Sequence, residues 1–300
     1  MIKAFKTTKY LSLLFIAIFW GCKEIPPFID FTEKVIGLKD TTYVSGIVPA
    51  PENKVIYIED LTGVRCPNCP TAVNIIKDVI AANPARAISL GVYPNALAQF
   101  TTPWPGFEVL ASDIANEIFT QIYGSPGALP TGGVNRKVFN GEGSSTIQYT
   151  KWSGYADVIK TEESPIKLKG EIIKNDSVAK KIKIKVNLIF AKKYDEEVNL
   201  TVYLIENKII SKQSMPSGPP KDDFEHNHVL RKAVTSFNGQ PLKINASTIG
   251  KYEAGRVFEK EFEVEVDSKW KYKNLAFVIL ANRYDANSKE VLQAAELDLH

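Results

Sequence analysis

Apolar and polar positions repeat with two different periods along this chain, and the change falls near residue 160. Before it, short β-rich runs are interleaved with helical spacing. Lys54-Val-Ile-Tyr-Ile-Glu-Asp60 reads as one strand and Ala87-Ile-Ser-Leu-Gly-Val-Tyr93 as the next. Between them Val73, Ile76 and Ile80 recur at intervals of three and four, which predicts an amphipathic helix from Thr71 that stops at Asn83-Pro84. Residues 94–107 are rich in Pro, Gly and aromatics, and a helical stretch follows near Ala111–Tyr123. Leu129-Pro130-Thr131 then leads through a glycine pair into Val138-Phe139. Strand, helix, strand, insertion, helix, strand is a βαβ-type order.

Beyond residue 160 the helical spacing gives way to period two. Ile182, Ile184, Val186, Leu188 and Phe190 alternate with Lys183, Lys185 and Asn187. Similar alternation occupies Ile166–Ile172, Val198–Ile205, Phe258–Val266 and Leu275–Ala281. About seven strands separated by polar turns predict an antiparallel β-sandwich, one face of each sheet buried and one wet. The expected organisation is an α/β domain over residues 46–158 and an all-β domain over 159–300.

The N-terminal 21 residues follow neither period. Lys3, Lys6 and Lys9 precede the eleven-residue apolar stretch Tyr10–Trp20, well short of the ~20 residues that cross a bilayer as a helix. Gly21-Cys22 is a pairing that a lipoprotein signal peptidase accepts, so residues 1–21 are expected to be a lipoprotein signal peptide and Cys22 the lipid-attachment residue. Phe19 and Trp20 depart from the commonest form of that signal, and an ordinary secretory signal or an uncleaved anchor are the alternatives. Residues 22–45, with Pro26-Pro27, read as a tether and a first edge strand. Loss of the three lysines takes the formal charge from +3 to zero. A neutral chain has no electrostatic footprint for nucleic acid, which is excluded as a partner. Hydrophobic content of 44% and charged content of 24% are ordinary for a globular protein. Export places the chain where disulfides persist.

The remaining two cysteines form Cys66-Pro67-Asn68-Cys69, between the first strand and the first helix. A helix N-terminus stabilises a thiolate through its dipole and free N–H groups, and a cysteine pKa of ~8.5 falls there to ~3.5–7.5. Cys66, at the cap with its sulfur toward solvent, is expected to attack; Cys69, one turn in, would be shielded and resolve the mixed disulfide. Arg65 adds a charge that pushes the same way. Pro70 sits in the first turn, where its missing N–H costs nothing. Asp60, six residues before Cys66, is placed to take up and return a proton. A static disulfide stapling the helix start is the plainer alternative; a zinc site would need a second cysteine pair, which is absent. His226 and His228 follow Asp222, Asp223 and Glu225, an arrangement read as a solvated loop more readily than as a ligand set. Trp104 and Phe107 read as packing of the long insertion, with a lid or peptide-binding ridge as the alternative. No metal and no cofactor is expected.

These residues resemble the thioredoxin family, in which a buried acid six positions before the first cysteine ends a strand, the CxxC opens a helix, and a cis-proline precedes a later strand. Asp60, Cys66–Cys69 and Leu129-Pro130-Thr131 fall at those places. The resemblance implies that Pro130 faces the disulfide and that Leu129 contacts a bound peptide; Arg65 and Thr131 are expected to bind substrate as well. Arg65 stands where that family usually has tryptophan, and residues 94–125 exceed its usual connection. A narrower resemblance spans nearly the whole chain. Tyr57-Ile-Glu-Asp-Leu-Thr-Gly-Val-Arg-Cys-Pro-Asn-Cys-Pro70, Asn227-His-Val-Leu-Arg231 and Glu290-Val-Leu-Gln-Ala-Ala295 look like the signatures of the outer membrane protein 28 family of Bacteroidetes lipoproteins. It implies a thioredoxin-like domain joined to an immunoglobulin-like sandwich on an outer-membrane lipid anchor, facing the periplasm or the cell surface. The function expected is thiol–disulfide exchange with protein thiols or disulfides. The alternative is a non-enzymatic surface binding or adhesion lipoprotein with a structural CxxC disulfide.

Overall fold

The computed structural model describes residues 38–299, so the expected signal peptide, Cys22 and most of the tether lie outside the described residues. In chain order the first elements are β1 (Asp40–Val44), β2 (Glu52–Asn53), β3 (Ile56–Leu61), α1 (Cys69–Ala82) and β4 (Ala87–Val92). Helices α2 (Ala98–Thr101) and α3 (Asp113–Glu117), a π-helical turn at Ile118–Ile122, β5 (Thr131–Val134), β6 (Ile147–Gln148) and α4 (Trp152–Ile159) follow. The rest is β: β7 (Glu163–Ser164), β8 (Ile166–Asp176), β9 (Lys181–Phe190), β10 (Asn199–Glu206), β11 (Ile209–Gln213), β12 (Lys221–His226), β13 (Val229–Ala233), β14 (Gln240–Pro241), β15 (Arg256–Glu265), β16 (Leu275–Asn282) and β17 (Val291–Asp298). The fold is β-rich with few helices.

Two sheets carry it. β1, β15, β9 and β8 form a four-stranded antiparallel sheet with β1 at its edge. The larger sheet runs β17-β16-β10-β13-β4-β3-β5-β6, with β14 added on β10. β3 and β4 are parallel, as a helical crossover requires, and β5 returns antiparallel to β3. β13 meets β4 in parallel through Val229 and Gly91, so one sheet holds strands from both sides of residue 160.

Three apolar layers follow from the two periods. Between the sheets lie the alternating residues of β9 (Ile182, Ile184, Val186, Leu188) with Leu200, Val202, Leu204, Phe277 and Ile279, while the lysines of β9 stay at least partly exposed. A second layer joins Ile56, Ile58 and Val134 to Ala72, Ile76 and Val79 of α1 and to Trp152 and Ile159 of α4. The third mixes both halves: Tyr57, Leu61, Leu90 and Val92 pack with Tyr203, Ile205, Leu230, Val278 and Leu280, beneath Ile118 and Phe119. β3 is buried on both faces, which is why Ile56, Tyr57 and Ile58 follow one another without polar alternation.

A charged pair sits in this dry interior. The Glu59 carboxylate accepts from Arg136 Nε at 2.8 Å, and Arg136 Nη2 closes the fork onto its other oxygen. The hydroxyls of Tyr57 and Tyr123 donate to the same carboxylate, each at 2.6 Å. Burial pushes the Glu59 carboxyl up, but Arg136 and the two tyrosines outweigh it and hold it below the usual range. Arg136 Nη2 also reaches the Tyr203 hydroxyl on β10, 3.1 Å away, tying the two halves together.

Two of the corrections that the structure makes concern the strands. Among the described residues ten strands, β8–β17, follow residue 165 rather than about seven; β12, β13 and β17 lack clean alternation because their surroundings change along their length. Val138-Phe139 is not a strand, since Phe139 turns to stack on Tyr155 of α4 at 4.0 Å.

Candidate functional site: a covered vicinal disulfide

Cys66 and Cys69 are joined in a disulfide, their Cα atoms 5.4 Å apart. The loop that brings them there leaves the C-terminal end of β3 and turns tightly, with Cys66 N–H donating to the Gly63 carbonyl at 3.0 Å. Gly63 is required: a Cβ there would lie 2.5 Å from the Phe100 carbonyl oxygen. Cys69 is the first residue of α1, followed by Pro70 in the first turn, and Asn68 caps without a side-chain hydrogen bond. Leu61 pairs with Thr131 across β3 and β5, so Pro130 leads into β5 at the same end of the sheet from which the cysteine loop departs. The Leu129–Pro130 peptide is cis.

Cys66 is not turned to solvent. It is 1% exposed and Cys69 is 2% exposed; only Pro67 and Asn68 of the motif are open. Two segments cover the loop. From the insertion, Phe100 accepts from Arg65 N–H at 2.8 Å, and the Trp104 indole sits under the Arg65 guanidinium, 4.1 Å from ring centre to charge. Arg65 also donates to the carbonyls of Thr102 (2.8 Å) and Pro103 (3.0 Å). From the C-terminal half comes the β11–β12 hairpin, whose Gln213 amide donates to the carbonyls of Cys66 at 2.9 Å and Ser214 at 3.0 Å, with that of Gly63 at 3.3 Å. Ser214 N–H donates to the Val64 carbonyl at 2.9 Å. Ile209, Val64, Tyr93, Leu110 and Val229 seal the contact with a small apolar cluster.

Removing the Gln213 amide should loosen the hairpin. Buried hydrogen bonds left unmade cost about 1–3 kcal/mol, so Gln213→Ala is expected to raise the open population, and the rate of disulfide reduction by dithiothreitol, roughly tenfold or more. Alkylation of freed thiols followed by mass spectrometry measures it; an unchanged rate would mean the hairpin does not control access.

The other sequence-predicted residues divide into two groups. Asp60 is buried at the end of β3, where desolvation, opposed by the Thr62 hydroxyl, pushes its carboxyl up to about 8; its Oδ1 has no hydrogen-bond partner. It is therefore protonated at neutral pH and able to donate. Arg65, by contrast, is engaged by the insertion. Thr131 is buried and donates to the Ile147 carbonyl at 3.2 Å, and Leu129 packs against the mixed core. Trp104 packs on the Val64 loop, its indole N–H 3.4 Å from the Val64 carbonyl. His226 is buried at the end of β12, with Nδ1 2.9 Å from the Tyr93 hydroxyl; burial pushes its pKa down to about 4, the Ser211 backbone pulling the other way. His228 Nε2 lies 3.4 Å from Glu296. Among the described residues no cluster of three or more His, Cys, Asp or Glu side chains could hold a metal ion. Gln213 and Tyr93 were not singled out from sequence. Gln213 carried one signal, a polar residue on the inward register of an alternating strand.

A β-rich chain with a vicinal disulfide at a helix start, covered from its C-terminal half, is the class that fold and site define. Residues 116–298 match the family described as Outer membrane protein Omp28, and the chain belongs to that family. The family's description is that of an outer-membrane protein, and the matched stretch begins downstream of Cys66 and Cys69. Among solved structures, HBP35 of Porphyromonas gingivalis is similar at 17% identity and a TM-score of 0.63, over 84% of this chain and 77% of that one. A crystallised protein of Agrobacterium tumefaciens is similar at 13% identity and a TM-score of 0.50, over 84% of this chain and 97% of that one. These likenesses are of fold. No curated protein matches the chain in sequence.

Proposed function

We propose that the chain is a lipoprotein of the outer membrane, anchored through Cys22 on the periplasmic or surface face, that exchanges disulfides with protein partners at Cys66–Cys69. In this reading residues 46–158 are a thioredoxin-like domain and residues 159–300 an immunoglobulin-like sandwich that supplies the cover. The observation that carries it is the convergence, at one end of one sheet, of a vicinal disulfide at a helix N-terminus, a buried protonated acid and Pro130. Starting from the disulfide, a partner thiolate attacks the Cys66 sulfur, the Cys66–Cys69 bond breaks, and Cys69 leaves as a thiolate that Asp60 can protonate. A second partner thiolate then attacks the partner sulfur of the mixed disulfide. Cys66 is released, the partner dithiol becomes a disulfide, and two electrons pass to this protein. The reverse sequence reduces a partner. Hairpin displacement must precede either.

The burial of both sulfurs favours a second reading, a surface binding or adhesion lipoprotein in which the disulfide staples the helix start. Exchange with insulin and with a reduced dithiol peptide separates the two. The exchange reading expects turnover with the wild type, none with Cys66→Ser, and a trapped mixed disulfide with Cys69→Ser. Absence of exchange even in Gln213→Ala, with loss of thermal stability on reduction, would establish the staple instead.

A further inference from the structure

A pocket of about 300 Å³ lies beside α1, between the helix, β4 and the β12 strand of the hairpin. Its origin is legible in the residues. On the helix-facing side of β4 the side chains are Ser89 and Gly91, too small to fill the gap, and a Cβ at Gly91 would only reach ordinary contact distance. Val73, Ile76 and Ile80 of α1 and Phe224 of β12 supply apolar walls. Val73 and Ile80, two of the three residues that define the apolar stripe of the helix, stay half-buried because they look into this space.

Two polar groups in the lining are unsatisfied. Asp60 Oδ1 and His226 Nε2 are buried without a hydrogen-bond partner, on side chains 2% and 3% exposed. Such atoms are rare in folded proteins and each costs about 1–3 kcal/mol. Tyr93 lines the same pocket: its hydroxyl meets His226 Nδ1 at 2.9 Å, and its own titration is pushed up by burial and then by the Asp60 charge. An apolar pocket with a few convergent buried polar groups is the form small-molecule sites take.

We propose that this pocket binds a small uncharged apolar molecule carrying one hydroxyl, which donates to and accepts from the two orphaned atoms, Asp60 Oδ1 and His226 Nε2. A hydroxyl matches because it is donor and acceptor at once. The ligand is uncharged because burial favours the neutral forms of Asp60, raised to about 8, and His226, lowered to about 4, so both are mainly neutral midway between those values, and burial keeps Tyr93 neutral there too. The charged side chains at this site, Lys77 and Glu225, belong to exposed residues. Size follows from volume: a ~150 Å³ apolar cavity holds benzene, so this one suits a two-ring molecule or a chain of comparable bulk. The site shares Asp60 with the exchange reading, so it is tested on the oxidised protein, where no thiolate is present to take the Asp60 proton.

The experiment is titration at pH 7 with 2-naphthol, naphthalene and 2-naphthoate, followed by calorimetry and by naphthol fluorescence. 2-Naphthol is expected to bind one per chain and 2-naphthoate at least tenfold more weakly. Ser89→Leu fills the floor and should weaken 2-naphthol and naphthalene alike, by about tenfold or more. His226→Phe keeps the shape and removes the anchor, weakening 2-naphthol about tenfold while leaving naphthalene within about twofold. Ile80→Trp occludes the pocket from a half-buried helix position and takes the place of Ser89→Leu should that variant fail to fold. Failure of 2-naphthol and naphthalene to bind the folded protein below millimolar concentration would overturn the proposal. So would 2-naphthoate binding as tightly as 2-naphthol, or unchanged binding in a folded filling variant.

Discussion

Arg136→Met is expected to lower the stability of this protein by about 3–5 kcal/mol, the usual consequence of removing one partner from a buried ion pair. Glu59 and Arg136 have fully buried side chains, so no water replaces the guanidinium when it is lost. The carboxylate would keep the Tyr57 and Tyr123 hydroxyls but lose its counter-charge, and its pKa would move from below the usual range to above it. The effect reaches beyond one contact, because Arg136 also holds the Tyr203 hydroxyl on β10. Urea denaturation at pH 7 measures the loss. Glu59→Gln combined with Arg136→Met should lose less than the two single changes summed, since it leaves no bare charge behind. A single-variant loss under about 1 kcal/mol would show that the pair is not held as dry as its surroundings indicate.

Asp60→Asn carries the second large effect, and its sign depends on pH. The carboxyl is raised to about 8 in the folded chain against ~3.9 unfolded, so between those values the folded state holds the extra proton. Its contribution is fully present below pH ~3.9 and is lost as pH rises, with a slope of about 1.4 kcal/mol per pH unit up to pH 8. His226 runs the other way. Its pKa is lowered to about 4 against ~6.5 unfolded, so its contribution is present above pH ~6.5 and is lost as pH falls. The two slopes oppose one another below pH ~6.5, and only the Asp60 decline remains between there and 8. Asp60→Asn should therefore remove the decline above pH ~6.5 and stabilise the oxidised protein by roughly 2–4 kcal/mol near pH 7.5. Urea midpoints of both forms from pH 4 to 9 test this. A wild-type midpoint flat between pH 6.5 and 8 would mean that Asp60 is ionised in the fold.

The elements that sequence patterning located are those whose environment is uniform along their length. β9 and β15 each bury one face, so period two is written into them, and α1 follows its stripe of apolar residues to the Asn83 stop. The position of the cysteine pair, Asp60 and Pro130 at one end of the sheet was legible for the same reason: each is fixed by an adjacent regular element. What escaped the sequence depends on contacts between distant stretches. β12 reads Lys-Asp-Asp-Phe-Glu-His and looks like a loop, yet it pairs with β11 and sets His226 beside Tyr93. The exposure expected of Cys66 failed because its loop is covered by two distant segments, the insertion around Phe100 and Trp104 and, 147 positions away, Gln213 of the hairpin. Glu59 stands beside Asp60 in β3, and nothing in that strand pointed to Arg136, 77 positions later, as its partner.

The mixed apolar layer has a consequence for biogenesis. Tyr57, Leu61, Leu90 and Val92 find their packing partners on β10, β13 and β16, which are synthesised later. A ribosome or translocon delivering the chain from its N-terminus would expose that greasy surface for as long as the second half was still emerging, an interval in which holdase chaperones become necessary company.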